Sequence, residues 1–146
     1  MTHTEKAGKL FKEKFHCSQA VLAAFAEEIG LTEQQALKLG GCFGSGMRRG
    51  EVCGACIGAL MVLGMKYGQY EVEDVESRLT CNGITEAFLE AFRQENGSYL
   101  CNELLNSDMT TESGRAYARE HKLFTEFCPK MVSSAVRITE QFLKGD

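Results

Sequence analysis

Apolar residues recur every three to four positions along most of the chain and almost nowhere in strict alternation. That period belongs to helices with one buried face. From Thr4 to Ile29, Leu10, Phe11, Cys17, Val21, Ala24, Phe25 and Ile29 share a stripe, with Lys12, Glu13, Glu27 and Glu28 mainly on the wet side. This reads as one long amphipathic helix, with Cys17 mid-helix and its sulfur turned inward, ended by Gly30. Thr32 and Gln35 form a capping-box pattern that opens a short helix through Leu39. Gly40–Gly50 is a loop by composition, and Glu51 then suits the positive end of a helix to about Tyr67. Val72 to Gln94 is helical again, with Gly83 as a possible break. Asn96-Gly97 is a turn, and Ser98 caps a short helix from Tyr99 to Leu105. After a linker at Ser107–Thr110, a helix from Thr111 or Glu112 runs through Phe127. The last helix begins at Cys128-Pro129, with proline at its first position, and reaches about Leu143. No repeat interrupts the pattern, so residues 1–146 are expected to form one all-α domain, a compact bundle of six or seven helices.

Composition narrows what such a bundle can be. The 146 residues are 44% hydrophobic and 25% charged, which suits a packed core rather than disorder. A net charge of −4 speaks against nucleic-acid binding, which needs a basic face. The longest uncharged apolar run, Val52 to Met65, is shorter than the ~20 residues that span a bilayer. Met1-Thr-His-Thr-Glu-Lys lacks the apolar region of a secretion signal. The expectation is a cytoplasmic protein without membrane insertion.

Seven cysteines change the picture further. The number is odd, so complete pairing within one chain is impossible, and in a reducing compartment clustered cysteines mean metal, redox chemistry or burial. Cys53, Cys101 and Cys128 fall at predicted helix N-termini. Unpaired N–H groups and the helix dipole there favour a thiolate, so lowered thiol pKa values are expected at these three. The alternative for each is a small buried hydrophobe. Cys53-Gly-Ala-Cys56 is a CxxC without the strand-led context of a thioredoxin, and no second CxxC completes a zinc ribbon. Cys81 reads as packing or partly exposed; Cys42 and Cys56 either pack or resolve a disulfide with Cys53. The glycine-rich stretch is neither a P-loop nor a dinucleotide fingerprint. Its glycines, with Gly54, Gly58 and Gly64 beyond, suggest close approach of a helix or a bound group. Arg48 and Arg49 either offset thiolate charge or are ordinary solvated side chains. His3, His16 and His121 show no ligand spacing.

The runs Phe15-His-Cys17-Ser-Gln-Ala-Val, Gly44-Ser-Gly46-Met-Arg-Arg-Gly50, Cys53-Gly-Ala-x-x-Gly58-Ala-Leu-Met, Cys101-Asn-Glu-Leu-Leu and Cys128-Pro-Lys together resemble the C_GCAxxG_C_C family. These are small, mostly bacterial proteins described as redox-active, with four characteristic cysteines. The resemblance implies that Cys17, Cys53, Cys101 and Cys128 are the family's four, and that Cys56 fills a variable place.

Three functions follow as expectations. The first is a four-cysteine metal site on Cys17, Cys53, Cys101 and Cys128, used for electron transfer with a partner the sequence does not name, or for redox sensing. An iron–sulfur cluster is preferred to zinc, which more often takes close pairs of ligands. The second is a metal-free thiol–disulfide oxidoreductase, with Cys53 or Cys128 as the attacking, catalytic thiol. The third is a helical interaction module with packing cysteines. A homodimer is a further candidate assembly.

Overall fold

A computed structural model describes residues 1–145; Asp146, the last position of the expected domain, lies outside the described residues. The described elements are helical: α1 (His3–Lys12), α2 (Cys17–Ala24), α3 (Glu33–Leu39), α4 (Gly54–Tyr67), α5 (Val75–Asn96), α6 (Cys101–Leu105), α7 (Glu112–Glu120) and α8 (Cys128–Lys144). Wide turns at Gly46–Gly50 and Leu123–Phe127 separate some of them. Among the described residues the only β-type contact is an isolated antiparallel bridge, Val52 with Leu100. The all-α class therefore holds, with eight α-helices among the described residues where six or seven were expected. Among the described residues no helix is long and apolar enough to cross a membrane.

The extra helices come from breaks that carry no glycine or proline. The expected helix from Thr4 to Ile29 is two. Lys14 adopts a left-handed backbone (φ 85°), its N–H reaches the Phe11 carbonyl at 3.0 Å, and the Phe15 N–H reaches the Leu10 carbonyl at 3.3 Å. This is the paired bonding of a Schellman ending, where glycine is the usual left-handed residue. A lysine there costs about 1–2 kcal/mol. The chain restarts at His16, whose N–H donates to the Gln19 side chain at 2.8 Å. Cys17 is thus the first residue of α2 rather than a mid-helix residue. Lys122 (φ 57°) makes a similar break, so the helix expected to reach Phe127 stops at Glu120.

Other boundaries shift less. The helix expected from Glu51 starts at Gly54, with Cys53 as its cap residue. α5 is continuous through Gly83. Ser98 does not cap α6 from Tyr99: its hydroxyl accepts the Leu100 N–H at 3.0 Å and donates to Glu103 at 2.6 Å, and the helix opens at Cys101. The Thr32–Gln35 capping box forms as expected, and α8 opens one residue earlier than expected, with Phe127 as its cap, Cys128 first and Pro129 second.

α2 is the centre of the bundle. Ser18 and Ala20–Ala26 are all buried, and the helix packs most extensively on α4. The contact is close because α4 presents small residues. A Cβ added at Gly58 would lie 2.6 Å from the Ser18 carbonyl oxygen, so only glycine lets the two backbones meet there. α8 closes the other side, against α1, α4 and α5, and Phe25, Phe88 and Phe92 fill the interior. A second apolar cluster of Cys101, Leu105, Met109 and Ala118 forms beneath α6 and α7.

Candidate functional site

A cavity of about 790 Å³ lies where the main core and the second cluster meet, and Cys17, Cys53, Cys101 and Cys128 all line it. Each cysteine stands at the start of a helix: Cys17, Cys101 and Cys128 as first residues of α2, α6 and α8, and Cys53 as the cap of α4. The bridge between Val52 and Leu100 aligns two of them. The Cys53 N–H donates to the Tyr99 carbonyl at 2.7 Å, and the Cys101 N–H to the Glu51 carbonyl at 2.6 Å. Two segments distant in sequence are thereby locked side by side, each with its cysteine immediately after the bridge.

Glycine makes room at the centre. A Cβ on Gly54 would sit 2.5 Å from the Cys17 sulfur and 2.9 Å from the Phe43 carbonyl oxygen. Any side chain there would displace the thiol from its place.

The thiols touch one another. Cys17 donates its S–H to Cys53, and Cys53 donates to Cys56. Backbone N–H groups of Ser18 and Ser45 point at the Cys17 sulfur, and that of Ala55 at the Cys53 sulfur. These are the dipolar donors expected of helix starts, yet they do not prevail. The hydrogen bond to Cys53, then burial, pushes the Cys17 thiol well up from its ordinary value. For Cys53 the bond from Cys17 favours the thiolate, but the bond to Cys56 and burial outweigh it, and the thiol is also raised. Burial, followed by neighbouring thiols, pushes Cys101 and Cys128 up to about 12. The expectation of lowered pKa values at Cys53, Cys101 and Cys128 is therefore corrected. Desolvation of a charge in an apolar cavity exceeds the pull of one helix turn.

All seven cysteines are free. Among the described residues no group of three or more His, Cys, Asp or Glu side chains stands close enough to hold one metal ion. Cys56 is fully buried and in contact with Cys53, whereas Cys42 is exposed and Cys81 half-buried, neither of them at the cavity. Arg48 and Arg49 are exposed and do not line it; Lys12, Lys14 and His16 do. These three, with Phe11 and Phe124, were not singled out by the sequence as site residues. His16 alone had a signal, as the neighbour of Cys17 in the first motif.

The family model described as "Putative redox-active protein (C_GCAxxG_C_C)" matches residues 15–142, so the chain belongs to that family. No curated protein and no solved structure matches it.

Proposed function

We propose that this member of the C_GCAxxG_C_C redox-active family holds an iron–sulfur cluster on Cys17, Cys53, Cys101 and Cys128 within one redox-type domain, for electron transfer or redox sensing. One observation carries the reading: four cysteines from four helix starts, spread from residue 17 to residue 128, line a single cavity. The four cysteines offer an all-sulfur ligand set, with His16 beside them and no carboxylate among the described lining residues, which suits iron–sulfur ligation. Ligands drawn from four separate segments of the chain suit a cluster better than a zinc ion, which more often takes close pairs. When bound, such a cluster supplies one-electron transfer at a potential set by charge, hydrogen bonds and solvent access.

The residues around it have definable tasks. The Ser18, Ser45 and Ala55 N–H groups aimed at Cys17 and Cys53 stabilise negative charge on sulfur, which raises a potential. Phe11, Phe15, Leu105 and Met131 keep the surroundings apolar. The raised thiol pKa values mean that the metal-free site holds its protons near neutrality, so loading releases them and proceeds more readily as pH rises. Free cysteines throughout suit a reducing, cytoplasmic setting.

The contact between Cys17 and Cys53 favours a second reading, thiol–disulfide exchange. Joining these sulfurs removes two electrons and two protons, which a partner disulfide would accept. Raised thiol pKa values slow such an attack at neutral pH. Anaerobic purification with iron, sulfide and zinc analysis separates the two. A brown protein with iron and sulfide in similar amounts supports the cluster. A colourless, metal-free protein that forms a Cys17–Cys53 disulfide with an oxidised dithiol supports exchange.

A further inference from the structure

We infer that the same cavity binds a small organic anion, with an apolar body among its aromatic walls and a negatively charged head at Lys12 and Lys14. The inference deepens the redox reading of this site by naming what is drawn to it, but requires no metal. At about 790 Å³ the cavity falls in the range of pockets that enclose small organic ligands, roughly 300–1,000 Å³. The four cysteines are a minority of its lining. Phe11, Phe15, Leu105, Phe124 and Met131 give it apolar walls, the usual character of such a pocket.

Its charge selects the ligand. The chain as a whole carries a net charge of −4, yet among the described residues no Asp or Glu lines the cavity, while Lys12 and Lys14 do. Among the described residues neither lysine is in an ion pair, whereas nearby Lys9 pairs with Glu13 at 3.8 Å. Lys14 also holds the left-handed turn where glycine would fit without strain. That turn brings Lys12, Lys14, Phe15, His16 and Cys17 onto one cavity within six residues of chain. At this position lysine supplies a charge that glycine would not.

Calorimetric titration of the full chain under anaerobic conditions tests this, with decanoate, decyl phosphate, 1-decanol and acetate as probes. At least one of the two long anions should bind about tenfold more tightly than 1-decanol, the better one identifying the head as carboxylate or phosphate, and acetate should give no measurable binding. The K12Q/K14Q variant should lose about tenfold for the anion and nothing for 1-decanol. Lys14→Gly should keep the fold, because its backbone already has a glycine-favoured φ, and still weaken the anion. Equal affinity for decanoate, decyl phosphate and decanol, undiminished anion binding in K12Q/K14Q, acetate binding as well as decanoate, or no binding by any probe would each overturn the inference. Iron analysis of the same samples separates it from the cluster reading. Iron-loaded protein that ignores every probe defeats only the anion, and iron-free protein that binds decanoate defeats only the cluster.

Discussion

Two helices of this chain carry a cysteine followed closely by glycine, and they use them oppositely. In α4, Cys53, Gly54, Cys56 and Gly58 are all buried, and a Cβ at either glycine would strike backbone or sulfur of neighbouring segments. In α5, Cys81 is half-buried and Gly83 exposed, with nothing within 4 Å of where its Cβ would be. The first half of α5 also leaves Val75 and Leu79 exposed, while Phe88 and Phe92 in its second half are buried. The same residue types therefore mean close approach in one helix and a weak spot in the other. What decides is the partner: α4 lies on the central helix α2, while the start of α5 leaves Val75, Leu79 and the Gly83 face exposed.

Near neutral pH, the largest effect that could break this comparison is at Gly58. Gly58→Ala should destabilise by about 1–3 kcal/mol, since the new methyl meets the Ser18 carbonyl, a backbone atom that cannot swing aside. In urea melts its midpoint should fall well below wild type; an unchanged midpoint would mean α2 and α4 are not in such close contact.

The thiols give the next effect. Cys101 and Cys128 are pushed up to about 12 from an ordinary 9.0, so the folded, metal-free protein resists their ionisation. Their contribution is complete below pH 9 and is lost progressively as pH rises toward 12, because the unfolded chain ionises first. Stability should drop by roughly 1 kcal/mol per pH unit per thiol over that window. Cys128→Ser should flatten the alkaline limb, and Cys81→Ser should leave it as it was. Identical limbs in wild type and Cys128→Ser would show that Cys128 does not sit in an apolar, thiol-crowded place.

The smallest effect has the opposite sign. Gly83→Ala should stabilise by about 0.5–1 kcal/mol, the helix propensity difference with no clash to oppose it. A loss at Gly83→Ala would place a neighbour against this face of α5.

Much of the α4 side was legible in the sequence. Its small-residue stripe and uncharged apolar run could hardly serve anything but burial, and Cys53, Cys101 and Cys128 lie close to turn and capping signals that mark helix starts. Cys17 was placed mid-helix because the break before it is made by Lys14, and a lysine in the left-handed position leaves no mark in the apolar period. Lys122 hid the second break for the same reason. Lys12, Phe11 and Phe124 were missed as a consequence, since those breaks are what turn their segments toward the cavity. The thiol pKa direction was missed differently: position at a helix start is visible in sequence, but the depth of burial that opposes it is not.

The central claim, that Cys17, Cys53, Cys101 and Cys128 act as one site while Cys42 and Cys81 stand outside it, is tested most directly by iron and sulfide content. The assay takes anaerobically reconstituted wild type and the six single Cys→Ser variants, with the electron paramagnetic resonance spectrum of each reduced sample. Cys17→Ser, Cys53→Ser, Cys101→Ser and Cys128→Ser should each lose about tenfold or more of the bound iron, or show an altered cluster signal, and Cys42→Ser and Cys81→Ser should match wild type. Equal iron and equal spectra across all six variants would contradict the claim.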